Sequence, residues 1–598
     1  MNVEYLQDTN EFFIDFKGYH ESIVYNFKQI YQLQEEDEPV IPAWKFLNQM
    51  NAFGAFIRIH NLKKEVTISD TAKSILVKAK QSQQEIKDTS FFGMFLTEQE
   101  VSATLKDIGF TRILKWYQMR NVKLLLEKSA DADYSVPGSG KTACAYALYG
   151  IRKKKENNLV MMVIGPKNVI GSWEQENIFC FSSPLTTCRL EGGFAKIEAL
   201  LSGKFDVFFI TYEQLLNVHT IISSFLRKNK VALYLDECHK MKGGLSSRTG
   251  TVILNLAHLP KYKTIMSGTP MPNSLEDLVS QHQFLLPSIK TNADSVAQQM
   301  QSLYVRTTKQ EMNLRPYTIK KTIVHMNKEQ KALYDRLIGE ELDRLKYESS
   351  YYMDMVKRIR RYAIKMIQLS SNPRLLLKSS PELAYVKEFE EATKQLSPKL
   401  MVAIARAYEL ASKGKKVLIW SNFIDTIKLL ERKLAPLKPV TIFGETPTGD
   451  EDDPYTREGK IKRFKEDERC FVMIANPMAA SEGISLHQVC HYQVFIDRNY
   501  DSRLFEQAIN RTHRVGLSDE REVVIEILLL NGSIDVNVDN RLDLKLFNMY
   551  QVLNDERLSV ENEGEVTDSD YEEQYGFYSG MNLDDSKNLL NSLLLSTD

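Results

Sequence analysis

The segment from Tyr134 to Thr142 reads Y-S-V-P-G-S-G-K-T and combines glycines with one lysine and a terminal hydroxyl. Backbone N–H groups can approach the phosphates of a nucleoside triphosphate only where glycines leave room, and a lysine and a magnesium-binding hydroxyl complete such a loop. The chain supplies these groups in one run: Gly138, Ser139, Gly140, Lys141 and Thr142. Ser135 stands where the usual pattern has its first glycine, so a glycine turn before an amphipathic helix is the alternative interpretation. The segment predicts a site for ATP and Mg²⁺.

Two adjacent carboxylates, Asp236 and Glu237, follow the apolar run Val231–Leu235. Charge at the end of a buried strand is costly without a partner, and a metal ion is such a partner. Asp236 can hold Mg²⁺ through water, and Glu237 can polarise a water for in-line attack on the γ-phosphate. This pair predicts hydrolysis of the bound triphosphate.

Other apolar runs also end in polar residues, and they indicate how these groups are positioned. The runs Leu159–Gly165, Val207–Thr211 and Thr264–Met266 are continuous, which is typical of buried parallel strands. The last of them leads into Ser267-Gly-Thr-Pro. Strands that alternate with helices and carry functional residues at their C-terminal ends predict an open, doubly wound α/β domain.

Length and composition limit the class of protein. A chain of 598 residues is too long for one core, so we expect several domains. Apolar residues make up 43% and charged residues 26%, which is ordinary for a soluble globular protein. We find no membrane-length apolar run and no signal-peptide arrangement, so we expect an intracellular, soluble protein without a membrane partner. The six cysteines are scattered, which indicates neither a disulfide framework nor a zinc site.

The net charge of −1 conceals an asymmetry between body and tail. Residues 551–598 contain 12 acidic and two basic residues, a net of −10, which leaves +9 for residues 1–550. A mildly basic body suits a partner with a phosphate backbone, although a solvated surface explains any single charge run equally well.

Four motifs occur in a fixed order along the chain: G-S-G-K-T at 138–142, D-E-C-H at 236–239, S-G-T-P-M-P-N at 267–273 and Q-A-I-N-R-T-H-R at 507–514. With them, the chain resembles the Swi/Snf type of superfamily-two helicase-related ATPases from about Leu114 to Leu546. The resemblance implies an α/β protein with two tandem RecA-like lobes, each a doubly wound parallel sheet, with ATP in the cleft and nucleic acid across both. Asn510, where the family commonly has glycine, indicates a divergent branch.

On this basis we expect five regions. They are an N-terminal accessory α/β region (1–105), the ATP-binding lobe (106–290), a helical inter-lobe region (291–395), the second lobe (396–550) and an acidic, disordered tail (551–598). Within the first region, Phe12–Phe16 and Phe56–Leu62 are predicted strands, and Thr71–Ile86 and Thr97–Ile108 are predicted helices.

The resemblance also implies roles for individual residues. Expected catalytic residues are Lys141, Asp236, Glu237, His239, Gln507, Arg511 and Arg514. On a predicted helix Leu504–Arg514, the last three share one face that would meet the triphosphate. Gln118 is expected to hydrogen-bond the adenine edge, with a solvent-exposed glutamine as the alternative, and Gly483 joins the nucleotide-binding residues. Expected nucleic-acid contacts are Thr211, Ser267, Thr269, Asn273, Ser421, Asn422 and Ser481.

The acidic tail has three possible uses. Glu561–Glu573 is predicted to be disordered, because it cannot bury enough apolar surface to offset chain entropy. Beyond it, spacings that fit one apolar helical face occur at Met581, Leu589, Leu590, Leu593 and Leu594. The tail is therefore expected to dock on a protein partner, to autoinhibit by competing with DNA phosphates, or only to solubilise the chain.

The expected function is that of an ATP-driven motor that translocates on double-stranded DNA and remodels DNA or protein–DNA complexes. Contacts to phosphates predict little sequence preference. A strand-separating DNA or RNA helicase is one alternative, and a nucleotide-dependent switch or scaffold without translocation is another. Its expected location is the cytoplasm in a bacterium or phage, and the nucleus or a viral factory in a eukaryote or virus.

Overall fold

The computed structural model describes residues 1–7, 9–31, 33–34, 36–77, 96–271, 274–314, 316–347, 352–480, 484–514, 522–553, 581 and 584–589. The chain divides into two compact units, residues 1–308 and 309–598. In the described part of the chain, no helix is both long and apolar enough to cross a membrane.

Unit 1 begins with a small mixed sheet whose described strands have the order β3-β2-β1-β4. Between residues 1 and 68, the strands and helices are β1 (Asn2–Leu6), β2 (Glu11–Asp15), α1 (Glu21–Tyr31), β3 (Val40–Pro42), α2 (Ala43–Asn48), α3 (Met50–Ile59) and β4 (Thr67–Ile68). Phe12 and Ile14 alternate with more exposed residues along β2 and enter the core, as predicted for a strand.

One predicted strand in this region is wrong, because most of Phe56–Leu62 lies in or just after helix α3. Phe53 and Phe56 are three residues apart, and both rings pack against Phe27, at 6.2 and 5.5 Å between centroids. This spacing places them on one helical face. The helix predicted at 97–108 is confirmed at Glu98–Asp107. Of the helix predicted at 71–86, residues 71–77 are helical and 78–86 lie outside the described residues.

The main sheet of unit 1 has seven described strands, all paired in parallel, in the order β11-β5-β10-β9-β6-β8-β7. These strands are β5 (Ala130–Asp133), β6 (Val160–Gly165), β7 (Thr187–Arg189), β8 (Val207–Thr211), β9 (Val231–Asp236), β10 (Tyr262–Met266) and β11 (Tyr304–Val305). The described helices are α4 (Glu98–Asp107), α5 (Trp116–Leu126), α6 (Lys141–Lys155), α7 (Lys167–Cys180), α8 (Phe194–Leu201), α9 (Tyr212–Lys228), α10 (Arg248–Leu256), α11 (Glu276–Leu285) and α12 (Ala293–Gln301). The predicted parallel α/β fold is confirmed. The C-terminal ends of β5, β10 and β9 are neighbours, so the loops that follow them lie together.

A buried ion pair fixes helix α6, which follows the phosphate-binding segment. Arg152 is 3% exposed and donates from Nη2 to Asp131 Oδ2 at 2.7 Å. The same nitrogen donates to the carbonyls of Leu125 at 3.0 Å and Lys128 at 2.8 Å. Burial raises the pKa of Asp131, and the Arg152 charge opposes that rise. Helix α6 is thereby joined to strand β5 and to the end of α5.

Unit 2 has six described sheet strands, again all paired in parallel, in the order β12-β17-β16-β13-β15-β14. They are β12 (Thr318–Val324), β13 (Lys416–Trp420), β14 (Val440–Ile442), β15 (Val472–Ala475), β16 (Cys490–Phe495) and β17 (Val524–Leu530). The α-helices described between residues 328 and 552 are α13 (Lys328–Tyr347), α14 (Tyr352–Ser371), α15 (Leu376–Ser379), α16 (Lys387–Lys394), α17 (Pro398–Ser412), α18 (Ile424–Lys433), α19 (Arg457–Glu466), α20 (Pro477–Ala480), α21 (Ser502–Ile509) and α22 (Ile534–Val552). Two hydrophobic clusters of the unit include sheet residues, one around Trp420 and the other around Ile419.

The predicted disordered tail is wrong at its start, whereas the apolar helical face predicted near its end is confirmed in part. Residues 551 and 552 belong to the last turn of α22, and residues 584–589 form a helix. Met581 and Leu589 are buried, because their apolar side chains join a hydrophobic cluster of unit 2. Glu561–Glu573 lies outside the described residues, as do Leu590, Leu593 and Leu594. The five predicted region boundaries stay predictions.

Removal of one partner from the buried pair should destabilise unit 1 strongly. Asp131→Ala leaves the Arg152 guanidinium buried without its carboxylate, and we expect a loss of about 3–5 kcal/mol in unfolding free energy. Thermal unfolding of the full chain measures the effect. Asp107→Ala is the matched control, since it removes the exposed pair between Asp107 and Lys154 of the same helix. Equal losses of unfolding free energy in Asp131→Ala and Asp107→Ala would contradict the stabilising role of the buried pair.

Candidate active site

The phosphate-binding segment lies between strand β5 and helix α6, with its glycines in conformations that favour glycine. Gly138 has φ +87° and Gly140 has φ +85°. A Cβ atom at position 140 would collide with Nε2 of Gln118. Lys141 starts α6 and donates from Nζ to the Ser135 carbonyl at 2.7 Å. The segment thus forms a tight loop at a helix N-terminus, with a lysine folded back over it, and such a terminus attracts anions.

Gln118 supports this loop from the first turn of α5. It is buried, its Nε2 donates to the Ser139 carbonyl at 2.7 Å, and its Oε1 accepts from the Lys115 backbone N–H at 2.9 Å. The alternative of a solvent-exposed glutamine is therefore wrong. Its contact with an adenine edge stays a prediction.

Ser135, the departure from the usual pattern, is part of a hydrogen-bonded network. Its Oγ accepts from Nδ2 of Asn121 at 3.1 Å and from the backbone N–H of Thr307 at 3.0 Å. Its own backbone N–H donates to Asp133 Oδ1 at 2.9 Å. A hydroxyl that accepts two hydrogen bonds explains why serine fits here. Asn121 and Thr307 were not predicted, because they lie far from the motif in sequence.

Asp236 is the last residue of β9, and both of its carboxylate oxygens are oriented by donors. Nε1 of Trp173 donates to Oδ2 at 2.8 Å, and the backbone N–H of Glu237 donates to Oδ1 at 2.9 Å. Burial and the neighbouring Glu237 charge raise the pKa of Asp236 to about 6, while the Trp173 hydrogen bond and Lys141 oppose the rise. Trp173 was not predicted as a partner of this carboxylate.

Glu237 has a left-handed backbone, with φ 52° and ψ 53°. Such a conformation costs about 1–3 kcal/mol in a residue other than glycine and concentrates at functional sites. Its Oε2 lies 3.2 Å from His239 Nδ1 and 3.5 Å from Ser267 Oγ. His239 and Ser267 are themselves 3.4 Å apart and buried. The carboxylate, 20% exposed, is therefore held by two residues of the predicted motifs.

Gln281 of helix α11 joins three of these segments. Its Oε1 accepts from the Tyr134 hydroxyl at 2.6 Å and from Cys238 Sγ at 3.2 Å, and its Nε2 donates to the Pro270 carbonyl at 2.6 Å. A further close contact occurs nearby, where a Cβ at Gly268 would lie 2.7 Å from Pro137 Cδ. The phosphate-binding loop, the acidic pair and the S-G-T-P segment are thus packed together. Gln281 was not predicted, because sequence patterns mark it only as a polar residue within a helix.

In unit 2, helix α21 ends at Ile509, so the prediction of one helix through Arg514 is wrong. Nε2 of Gln493 donates to the Ile509 carbonyl and to Thr512 Oγ1, at 2.9 and 2.6 Å. The Arg511 carbonyl accepts from the Leu486 backbone N–H at 2.8 Å. Residues 510–512 form turns, and these partners stabilise them.

The side chain of Arg511 caps the end of this helix. Its Nε donates to the Gln507 carbonyl at 2.9 Å and its Nη1 to the Ile484 carbonyl at 2.8 Å. Gln507 and Arg511 therefore stay adjacent although they do not share a continuous helix. Arg514 lies beyond the turns, and burial lowers its pKa.

Several expected nucleic-acid contacts lie inside the fold. Ser421 donates to Asp497 Oδ2 at 2.8 Å, and Nδ2 of Asn422 donates to Oδ1 of the same carboxylate at 2.9 Å. Thr211 caps helix α9 by accepting from the Gln214 backbone N–H at 3.1 Å. Thr269 is buried beside Ser267.

These side chains fix the ends of strands and the start of a helix, and their contacts with nucleic acid stay predictions. Three further predicted residues, Asn273, Ser481 and Gly483, lie outside the described residues.

Comparison with known proteins identifies the class. The loop, the acidic pair and the parallel sheet are those of a P-loop domain. The family model for the SNF2-related domain matches residues 117–375. The family model for the helicase conserved C-terminal domain matches residues 399–516. The chain therefore belongs to the Swi/Snf-type, helicase-related ATPases.

Similar proteins include the ISWI chromatin-remodeling complex ATPase CHR17 of Arabidopsis thaliana, 24% identical over 68% of this chain and 39% of that protein. The human SWI/SNF-related matrix-associated actin-dependent regulator of chromatin subfamily A member 1 is 23% identical over 72% and 43%. The chain thus spans about two-fifths of the length of these relatives. Among solved structures, the Sulfolobus solfataricus SWI2/SNF2 ATPase core in complex with dsDNA is 21% identical, covers 75% of this chain and 94% of its own, and has a TM-score of 0.33.

The contact at Gly268 provides a test of the packed site. Gly268→Ala should push the phosphate-binding loop away through Pro137 and weaken binding of a fluorescent ATP analogue by about tenfold or more, as small displacements at such sites do. Gly171→Ala is the control, since a Cβ there meets nothing within 4 Å. Unchanged binding in Gly268→Ala would show that the loop does not depend on this contact.

Proposed function

We propose that this protein is an ATP-driven motor that hydrolyses ATP and translocates on double-stranded DNA, thereby remodelling DNA or protein–DNA complexes. The observation that carries the proposal is the packing of the phosphate-binding loop, the acidic pair and the S-G-T-P segment around Gln281. The matches to both domains of the Swi/Snf-type ATPases support it. The relatives are named as chromatin-remodeling ATPases, which favours a protein–DNA complex as the target.

The loop fits a triphosphate in two independent ways. Glycine at position 140 leaves space that a Cβ would fill, and the buried Ser139 Oγ has no hydrogen-bond partner among the described residues. A phosphate oxygen would satisfy this hydroxyl. Lys141, now bonded to the Ser135 carbonyl, is placed to transfer its Nζ to the phosphates.

The site also fits Mg²⁺. The Thr142 hydroxyl and the Asp236 carboxylate are the oxygen donors that this ion prefers, directly or through water. When bound, Mg²⁺ would neutralise charge on the β- and γ-phosphates. Trp173 keeps one Asp236 oxygen in place by its hydrogen bond. The protein therefore positions the carboxylate before any ligand binds.

Glu237 is the proposed base that orients the attacking water. Its strained backbone and its contacts with His239 and Ser267 fix the carboxylate next to the S-G-T-P segment, which follows β10. In the proposed cycle, Gln507, Arg511 and Arg514 of unit 2 stabilise the charge that develops on the triphosphate, as arginine fingers do. Each cycle would shift protein contacts along DNA phosphates, so that sequence preference is low.

The acidic residues 561–573 are proposed to modulate this activity. They carry the charge needed to compete with DNA phosphates for basic groups, and they are equally suited to a basic protein partner. If deletion of residues 561–573 raises DNA affinity at low salt but not at high salt, the result favours electrostatic competition.

Binding and hydrolysis should separate in two variants. Lys141→Ala should lose ATP binding and hydrolysis together, because it removes the cation of the loop. Glu237→Gln should keep binding but lower hydrolysis by about 10²–10⁴-fold, the usual contribution of a positioned base. Equilibrium binding and single-turnover hydrolysis measure the two steps. Glu213→Gln, which changes an exposed glutamate of α9, is the control. A Glu237→Gln protein that hydrolyses ATP at the wild-type rate would refute the assignment.

Translocation can be separated from strand separation. On duplex DNA carrying a triplex-forming strand, a duplex motor should displace the third strand with ATP, whereas forked DNA and RNA should stay paired. DNA binding should weaken steeply with salt and vary little with sequence, since phosphates supply the contacts. Unwinding of the forks would favour the helicase alternative. Hydrolysis without displacement of any strand would favour the switch or scaffold.

A further inference from the structure

The last described part of the chain is docked on unit 2, and we call Met581 together with residues 584–589 the C-terminal clasp. Asp585 is fully buried, accepting from Arg541 Nε at 2.6 Å and from Lys545 Nζ at 2.5 Å. Both cations belong to helix α22. Met581 and Leu589 are buried in a hydrophobic cluster of the same unit. The clasp is therefore held by an ionic centre and apolar contacts.

Lys545 connects the clasp to the segment before helix α21. Its Nζ also donates to the Tyr500 carbonyl at 2.8 Å. The Tyr500 hydroxyl donates to Asn537 Oδ1 at 2.9 Å, and Asn537 in turn donates from Nδ2 to Asn588 of the clasp at 2.8 Å. Tyr500 is thus held at its backbone and at its side chain by residues that also contact the clasp.

Tyr500 immediately precedes the N-cap of the helix that carries Gln507. Asp501 Oδ1 accepts from the backbone N–H groups of Arg503 and Leu504, at 2.9 and 3.2 Å. The Gln507 carbonyl, one turn further, accepts from Arg511. A continuous series of contacts therefore runs from Asp585 through Lys545 and Tyr500 to this helix.

We propose that the C-terminal clasp positions helix α21, with Asp585 and Lys545 as positioning residues for Gln507 and Arg511. This inference rests on the proposed function, since it assigns a catalytic purpose to the placement of that helix. The physical reason is charge: Lys545 is 3% exposed, and a buried cation without a carboxylate is strongly destabilised. Without Asp585, Lys545 turns toward solvent and releases the Tyr500 carbonyl.

The acidic residues of the tail have two different proposed roles. The Asp585 carboxylate is already bonded within unit 2, whereas the acidic run 561–573 supplies the charge proposed to compete with DNA. Deletion of everything after Asn554 would remove both. An internal deletion of 561–573 and a substitution at Asp585 distinguish them.

The test uses the full chain with Asp585→Ala, and with Asp543→Ala as the matched control. Asp543 is a carboxylate on α22 that pairs with Lys321, and it is 55% exposed. Hydrogen exchange should become about tenfold faster or more at the amides of residues 501–509 in Asp585→Ala, because local opening becomes easier, and should not change in the control. With duplex DNA, the turnover number should fall by about tenfold while KM for ATP changes little, as expected for an interaction made in the transition state.

A second variant guards against a folding defect. A chain that ends at residue 580 should show the same two effects, and a synthetic peptide of residues 581–598 should restore both. If the wild type hydrolyses no ATP, the proposed function fails, and the exchange measurement still decides on the clasp. Unchanged exchange at 501–509, or an equal increase across the whole of unit 2, would overturn the positioning role.

Discussion

The close approach of two loops, at Gly268 and Pro137, is the constraint on which the site in unit 1 depends. A Cβ at position 268 would lie within 3 Å of two Pro137 ring atoms, so the S-G-T-P segment packs directly on the phosphate-binding loop. Gln281 then links both loops to the acidic segment through the Tyr134 hydroxyl, Cys238 and the Pro270 carbonyl. We expect these contacts to transmit a change in one segment to the other two. The proposed coupling of nucleotide state to movement requires such transmission.

Unit 2 applies the same principle with a carboxylate at its centre. Asp497, buried beyond the end of β16, accepts from Ser371, Ser421 and the Asn422 amide groups. Burial raises its pKa, and the hydrogen bonds from Asn422, Ser371 and Ser421 oppose that rise. In both units, a costly buried charge is stabilised by polar groups from separate segments, which fixes those segments relative to one another.

Sequence patterns predicted the features that depend on local chemistry. Continuous apolar runs indicated β9 and β10, and the glycines and Lys141 indicated the phosphate-binding loop, because one short segment carries the whole signal. Gln281 and Trp173 escaped prediction, since their partners lie far away along the chain. The helix through Arg514 was predicted from spacing, but the helix ends at Ile509, where Gln493 bonds to the Ile509 carbonyl and to the Thr512 hydroxyl. The ion pairs of Asp585 could not be predicted from sequence either, because its partners Arg541 and Lys545 are on another helix.

In the proposed function, nucleotide hydrolysis by this chain is coupled to double-stranded DNA. The most direct measurement is the steady-state ATPase rate of the full chain with and without duplex DNA, at low salt and at saturating ATP. We expect the rate to rise severalfold with duplex DNA, and to do so for unrelated DNA sequences alike. Equal rates with and without DNA would contradict it.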